Sequence, residues 1–358
     1  MVLIKKMQVQ GYEHVVEGID QESGLHCFVA IHDSSLGPAL GGVRIYPYNS
    51  PQDALNDVLR LAKGMTYKSA AITTGLGGGK SVIIANPRKD KSEALWHAFS
   101  EVLNSLGGNY IAAEDVGSSI EDMNILRLKT PYVAASDSEK SSGDPSRFTA
   151  RGVYRGLQAV AQKLWNHRSL AGRRVAIQGL GNVGAKLADI LFWEGAELIL
   201  TDTDEPKLKE LALLYGAKTV PPAHFMEVPC DVLCPCALGA ILNEETIPQL
   251  RCLAIAGAAN NQLRTSEDGW PLLERNILYA PDYIINSGGV INAAAEYHPG
   301  GYDPKASREK VDDIFDTLSL IFERSEKENK PTNLIADELA ESNLKNLVGK
   351  RTTPIIFH

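Results

Sequence analysis

The fold turns on Arg174-Val-Ala-Ile-Gln-Gly-Leu-Gly-Asn-Val-Gly184 and the segment after it, Ala185-Lys-Leu-Ala-Asp-Ile-Leu-Phe192. Arg174–Gln178 reads as a short buried strand, and Ala185–Phe192 reads as a helix. The glycines between them follow GxGxxG, and each has its own task. Gly179 permits a tight turn, Gly181 lets backbone amides approach a pyrophosphate, and Gly184 allows the helix to pack close to the strand. Leu180, Asn182 and Val183 complete the loop, whose amides open onto the partial positive charge of a helix N-terminus. The next strand ends at Asp202. A carboxylate there can accept hydrogen bonds from a ribose diol, and it repels a 2′-phosphate. Asp204 adds to that repulsion, and no arginine is adjacent to offset it. The expected cofactor is NAD rather than NADP.

Outward from the motif, strands and helices continue to alternate. Leu198–Thr201, Asp231–Cys234, Leu253–Ala256 and Ile277–Ala280 read as strands, with amphipathic segments between the first of them. That is the pattern of a parallel sheet with crossover helices. Upstream, a helix runs from Thr149 to about Trp165. Before it, the polar stretch from Ala134 to Ser146 marks a domain boundary.

A chain of 358 residues fits two domains better than one core. Its 44% hydrophobic and 22% charged residues place it with ordinary water-exposed globular proteins. A net charge of −8 argues against a nucleic-acid or anionic-membrane surface, which needs clustered Lys and Arg. Met1–Gln8 lacks the apolar stretch of a signal peptide, and no run approaches the ~18 apolar residues of a membrane span. A cytoplasmic location is expected. The five cysteines are an odd number, as in a reduced chain. Cys230-Asp-Val-Leu-Cys-Pro-Cys236 lacks the CxxC pair and the nearby histidines of a zinc site, so no metal is expected.

In the first third, Leu25–His32 reads as a strand and Leu36–Tyr48 as a turn-rich stretch. Ser50-Pro51 then looks like an N-cap followed by proline at the first helical position. Leu55, Val58, Leu59, Ala62 and Met65 recur at helical spacing as a buried face. Lys68 extends that apolar stripe, so it must snorkel out or meet an anion.

Thr73-Thr-Gly-Leu-Gly-Gly-Gly-Lys-Ser81 ends like a phosphate-binding P-loop. The required first glycine is Thr74, however, and Val82-Ile-Ile ends in a strand at Pro87 rather than opening a helix. The Gly77–Gly79 run instead suggests a backbone that closely approaches a pocket occupant. Lys80 beside it, with Lys68 near, would be a lysine whose pKa falls towards neutrality, as a general base requires. Ile111–Gly117 offers carboxylates at the end of a strand-like run. Asp115 there reads either as a turn-capping aspartate or as a proton-handling group.

These segments together resemble the amino-acid dehydrogenases, the family of glutamate, leucine, valine, phenylalanine and tryptophan dehydrogenases, with the leucine-specific members nearest in pattern. The matching motifs run through the chain in order. They are Gly37–Arg44, Arg60–Lys68, Gly77–Lys80, Ala113–Val116, Gln178–Gly184, Cys234–Gly239, Gly257–Gln262 and Pro281–Gly289.

The resemblance implies an α/β architecture of two domains separated by a cleft. An N-terminal α/β substrate domain covers 1–134, with 331–358 packing back on it, and a Rossmann-type NAD-binding domain covers 135–330. It implies that Lys68 binds the substrate α-carboxylate, that Lys80 is the general base activating water, and that Asp115 handles the proton on the substrate nitrogen. Thr149 and Asn261 match positions at the nicotinamide end and the substrate amine. Cys236, Ala237, Ala258 and Asn260 fall with the cofactor, and Gly41 and Gly42 with the substrate. Leu40 stands where glutamate-specific members carry a lysine, so a second carboxylate finds no cation. Leu40, Ala113, Val290 and Ala293 would line an apolar side-chain pocket. Ala293 departs from the valine of leucine-specific members, and the extra room would suit a bulkier side chain. Leucine and other branched-chain substrates come first, phenylalanine or tryptophan next. The family also implies a homo-oligomer, octamers among them. A reading of another class is a non-catalytic NAD sensor on the same fold, which would not need Lys80 or Asp115.

Overall fold

The structure, a computed structural model, describes residues 1–135 and 141–357. The chain divides into two compact units. The first holds Met1–Asp144, Asn292–Ser307 and Ala340–His358; the second holds Pro145–Ile291 and Arg308–Leu339. The expected boundary at 134/135 lies in the polar stretch of which residues 136–140 fall outside the described residues, and the division comes at Asp144/Pro145. The return of 292–307 to the first unit has no counterpart in the sequence reading, and the last return begins at Ala340 rather than at 331.

The first unit is built on a six-stranded sheet. In chain order its elements are β1 (Leu3–Met7), β2 (His14–Asp20), β3 (Leu25–Asp33), β4 (Ala39–Tyr46), α1 (Pro51–Ala71), β5 (Gly77–Ile84), α2 (Glu93–Ser105), β6 (Tyr110–Glu114) and α3 (Ile120–Arg127). The strand order is β1-β2-β3-β5-β4-β6, with β4 parallel to both β5 and β6. The Leu36–Tyr48 stretch is therefore not a run of turns. Most of it is β4, disguised by Gly41 and Gly42. One face of the sheet packs Val15, Phe28, Ala30 and Val82 against Ala54, Val58 and Ala62 of α1. The other packs Val29, Ile31, Val43 and Ile83 against Trp96, Phe99 and Val102 of α2 and Met123 and Leu126 of α3. With both faces covered, the inner strand β3 carries a continuous apolar run, Cys27–Ile31, rather than alternation.

Helix α1 begins as its sequence demands, with Ser50 accepting from the Asp53 amide at 3.1 Å and Pro51 opening the first turn. Its buried stripe is rotated from the expected one. Ala54, Val58, Ala62 and Thr66 are buried, whereas Leu55, Leu59 and Met65 are only partly so. The cause is a close approach: a Cβ at Gly78 would lie 2.0 Å from the Thr66 amide nitrogen. Small residues face the sheet because the helix backbone nearly touches it. The same observation corrects the reading of Gly77–Gly79 as room for a ligand. A Cβ at Gly77 would meet the Asp33 carbonyl at 2.4 Å, and one at Gly79 the Tyr110 ring at 2.8 Å. These glycines serve the protein's own packing.

The second unit opens with α4 (Ser146–Trp165). It continues through β7 (Arg174–Gln178), α5 (Asn182–Trp193), β8 (Glu197–Thr201), α6 (Glu205–Tyr215), β9 (Lys218–Thr219) and β10 (Val232–Pro235). After these come β11 (Ala254–Ile255), α7 (Gly269–Glu274), β12 (Leu278–Tyr279) and α8 (Asp282–Ile285). Its sheet is parallel throughout, in the order β12-β11-β10-β7-β8-β9. After β7 the chain builds outward to β9, then returns to β7's other side with β10. This is the doubly wound Rossmann arrangement, whose crevice lies where the winding reverses, at the carboxyl ends of β7 and β10. The remaining helices are α9 (Gly288–Ala295), α10 (Pro304–Asp312), α11 (Ile314–Glu328) and α12 (Thr332–Lys345).

The last residues are tied into the first unit. The Arg351 amide donates to the Leu36 carbonyl at 2.9 Å, Nε to the Gly75 carbonyl at 3.2 Å, and Nη1 to the Tyr297 carbonyl at 2.6 Å. The Phe357 ring meets Tyr132 edge-on, with centroids 4.8 Å apart. Among the described residues, no helix is long and apolar enough to cross a membrane.

Candidate active site

Three adjacent parallel strands bring the first unit's polar side chains together. Lys80 lies on β5, Gly42 and Arg44 on β4, and Asp115 immediately follows β6. Gly42 is in register with Ala113, and Val43 with Ser81 and Glu114. In-register neighbours share a face, so Lys80 and Asp115 approach from either side of β4. Their Nζ and Oδ2 atoms stand 3.0 Å apart. Gly42 makes this approach feasible, because a Cβ there would lie 2.6 Å from the Asp115 Cβ and 3.2 Å from the Lys80 Nζ. Any side chain on the middle strand would separate the pair.

Arg44 is the member that sequence reasoning missed. Its Nε donates to the same Asp115 Oδ2 at 3.1 Å, and its Nη1 to Asp57 Oδ2 at 3.0 Å. Asp57 is held in turn by Tyr48 Oη at 2.7 Å and Arg60 Nη2 at 2.8 Å. The Asp115 amide donates to Ser118 Oγ at 2.9 Å, and that hydroxyl donates to the Val43 carbonyl at 2.8 Å. Asp115 is thereby held at its backbone amide and at one carboxylate oxygen. The available signal was an arginine two residues beyond Gly42, on the same face of a strand.

Burial pushes the Lys80 amine below its ordinary value of 10.5, with Asp115 opposing and the Arg44 charge assisting. For Asp115, burial acts to raise the carboxyl, but Lys80 and then Arg44 outweigh it and hold the group below its usual range. The cluster thus pairs a carboxyl held low by two cations with an amine lowered by burial. The Lys80 side chain is 6% exposed and that of Asp115 20%, which leaves the carboxylate within reach of a ligand. A cation that acts on Lys80 is Arg44, which the sequence reading did not include.

Lys68 is buried on the last turn of α1, the helix that packs on β5. Leu40 is buried on the same face of β4 as Gly42, and Ala113 is half-buried beside Gly42 on β6. Gly41 points the other way, where a Cβ would collide with the Gly79 carbonyl at 1.9 Å. Its need for glycine is structural. Ala293 is buried on α9 in the first unit, and Val290, half-buried, belongs to the second.

In the second unit the glycine turn has the geometry of a dinucleotide cradle. Gly179 takes φ +88°, a left-handed conformation that favours glycine. A Cβ at Gly184 would lie 1.9 Å from the Gly179 carbonyl, whereas one at Gly181 would meet nothing within 4 Å. Gly184 is required by packing, and Gly181 keeps open the space before the N-terminus of α5, which no side chain caps. Leu180 is buried; Asn182 is exposed and Val183 half-buried. The loop after β10 joins the turn, since a Cβ at Gly179 would lie 2.7 Å from the Ala237 Cβ, and one at Gly184 3.4 Å from the Cys236 Cβ.

Asp202 accepts from the Leu180 amide at 2.5 Å and the Asp204 amide at 2.8 Å. Burial would raise its carboxyl, but these amides and that of Thr203 outweigh it, with Lys207 assisting. Asp204 caps α6 through the Lys207 amide at 3.2 Å. Asn286 Nδ2 donates to the Ala258 carbonyl at 3.1 Å and to Asn260 Oδ1 at 2.7 Å. Asn261, at φ +51°, receives the Ala240 amide on its carbonyl at 2.6 Å. Thr149 Oγ1 donates to the Pro145 carbonyl at 3.1 Å, and a Cβ at Gly289 would lie 2.8 Å from it. The open Gly181 position, the uncapped helix and the carboxylate at the end of β8 fit a nicotinamide dinucleotide.

Comparison with known proteins agrees with this geometry. Residues 13–132 match the model of the Glu/Leu/Phe/Val dehydrogenase dimerisation domain, and residues 195–330 that of the Glutamate/Leucine/Phenylalanine/Valine dehydrogenases. The chain is 47% identical to a leucine dehydrogenase of Geobacillus stearothermophilus, over 97% of this chain and 94% of that protein. It is 43% identical to a phenylalanine dehydrogenase of Caldalkalibacillus thermarum, over 94% of this chain and 92% of that protein. The crystal structure of L-tryptophan dehydrogenase from Nostoc punctiforme superposes with a TM-score of 0.81 at 39% identity, covering 95% of this chain and 97% of the other. The chain belongs to the glutamate/leucine/phenylalanine/valine dehydrogenase family and is an amino-acid dehydrogenase of the NAD(P)-dependent kind.

Proposed function

We propose that this enzyme oxidatively deaminates apolar L-amino acids, branched-chain ones first, using NAD and reversibly giving the 2-oxo acid and ammonia. The observation that carries the reading is the Lys80–Asp115 pair, joined at 3.0 Å across a glycine on the intervening strand. Lys68, buried on the last turn of α1, would hold the substrate carboxylate, as the likeness to the amino-acid dehydrogenases suggests. Bound NAD supplies the acceptor for the hydride leaving Cα. Lys80, kept low in pKa by burial, would take a proton from the water that adds to the resulting imine carbon. Asp115, held by Arg44, would receive and return the proton on the substrate nitrogen as ammonia departs. Thr149 and Asn261 would orient the nicotinamide end and the amine.

Leu40 and Ala113 present apolar surface near Gly42, with no cation at position 40 for a second carboxylate, which disfavours glutamate. Ala293 leaves more room than valine would. A methylene is worth only about 1–3 kcal/mol of discrimination, so phenylalanine and tryptophan follow as second substrates. Asp202 and Asp204 support NAD over NADP through repulsion of a 2′-phosphate. A homo-oligomer fits the exposed edge strand β1, whose free backbone groups invite pairing. The test is NADH formation, followed by absorbance, with L-leucine, L-valine, L-phenylalanine, L-tryptophan and L-glutamate, each with NAD and NADP. Turnover of leucine and valine with NAD above the others is expected. Turnover confined to aromatic substrates would transfer the proposal to them, and binding of NADH without turnover of any would favour the sensor reading.

A further inference from the structure

Cys234 and Cys236 carry chemistry that the proposed reaction leaves unused. They flank Pro235 at the carboxyl end of β10, and their sulfurs stand 3.8 Å apart. Alternate residues of a strand share a face with Cα and Cβ atoms both ~6.6 Å apart; the Cα spacing is inside the ~6.8 Å reach of a disulfide, and the Cβ atoms must draw in to ~4.5 Å as the bond forms. Proline's φ near −65° tightens that spacing. Cys234 is 0% exposed, whereas Cys236 is half-buried and leads into exposed residues 237–240. Cys236 is thus the less sheltered residue of the two. Neither is disulfide-bonded.

We propose that Cys234 and Cys236 form a peroxide-modifiable dithiol that closes to a local disulfide beside the dinucleotide turn. The two sulfurs have unequal roles. The hydrogen bond between the two sulfurs lowers the Cys236 thiol, with burial opposing and the Ala258 amide assisting. That same bond, and then burial, hold Cys234 well above the ordinary thiol range. Cys236, the less buried of the two and next to the exposed residues 237–240, is the sulfur that attacks the peroxide. Its S–O bond forms as the O–O bond breaks, and hydroxide leaves with the thiol proton as water. Cys234 then attacks the sulfenic sulfur. The S–S bond forms, the S–O bond breaks, and the hydroxyl departs with the Cys234 proton as a second water. One peroxide is reduced and two thiols are oxidised. The other cysteines are buried, with Cys27 and Cys252 each raised to about 12, which keeps them out of the reaction.

Closure must bring the sulfurs from 3.8 Å to bonding distance, ~2.05 Å. Ala237, the next residue, packs against Gly179, so the movement is felt at the turn. We expect weaker dinucleotide binding in the oxidised form, a consequence that rests on the dinucleotide reading of that turn.

The experiment treats the full reduced chain with hydrogen peroxide, alkylates the remaining thiols, and maps masses after digestion. The expected product lacks two hydrogens, links Cys234 to Cys236, and returns to the dithiol with dithiothreitol. Cys234→Ala should leave Cys236 at sulfenic or higher oxidation states with no link. Alkylatable Cys236 after treatment, irreversible sulfinic acid in the wild type, or a link to Cys230 would each overturn the proposal. Fluorescence titration with NADH then compares oxidised and dithiothreitol-restored protein, with a severalfold loss of affinity expected on oxidation. Equal affinities would overturn the link to the turn. Absence of NADH binding in the reduced protein would count against the dinucleotide reading, while the mass map decides the disulfide by itself.

Discussion

In the first unit, Lys80 and Arg44 reach one oxygen of Asp115 at 3.0 and 3.1 Å, three charges gathered on a largely buried face. In the second, the Gly179–Gly184 turn holds no charged side chain, and Asp202 beside it is occupied by backbone amides. One region works by desolvating charge, which tunes proton affinity. The other leaves atoms out, which under the proposed function lets backbone dipoles meet an anion. The first should therefore fail when side chains are removed, and the second when atoms are added.

The largest effect expected is from Lys80→Ala, which should lower kcat by about 10²–10⁴ while far-UV circular dichroism stays native. A loss below tenfold would place the base elsewhere. Next come two glycines of one turn. Gly184→Ala puts a Cβ 1.9 Å from the Gly179 carbonyl, so thermal melts should show a loss of about 1–3 kcal/mol together with weaker NADH binding. Gly181→Ala, whose Cβ meets nothing and whose φ is −65°, should cost no more than about 1 kcal/mol, the penalty for alanine at a helix N-cap, yet still weaken NADH in a fluorescence titration. Equal behaviour of the two variants would break the comparison. Asp202→Asn should narrow any preference for NAD over NADP by about tenfold in kcat/KM, by removing the charge that faces a 2′-phosphate.

The smallest effect is a shift in a pH profile. Burial lowers Lys80, so kcat/KM for deamination should rise with pH as the amine loses its proton, below its ordinary 10.5. Arg44 assists that lowering, and Arg44→Gln should move the limb to higher pH by about one unit or less. Arg44→Lys should restore part of the shift. A limb that stays in place would reduce Arg44 to a packing role.

The Rossmann half was legible because its signals are local. A strand, a glycine turn, a helix and a closing carboxylate lie within about thirty residues of sequence in such a motif. The charged site was legible only in pieces. Lys80 and Asp115 stood out as residue types in suggestive places, but Arg44 meets Asp115 across 71 positions and could not be paired by spacing. Strand β4 was hidden because Gly41 and Gly42 resemble turn residues. Their requirement comes from neighbours on β5 and β6, which no local pattern records. The rotated face of α1 has the same origin, since Gly78 chooses which residues of the helix are buried.

The Arg351 contacts have a consequence for synthesis. The carbonyl of Gly75 receives Arg351 across 276 positions, so at ordinary translation rates it waits roughly 15–55 s for its partner to leave the ribosome. The strands of the first sheet emerge long before the residues that tie down its edge loops. A gene fragment cut after Asp144 would therefore lack the segments 292–307 and 340–358 that belong to the first unit.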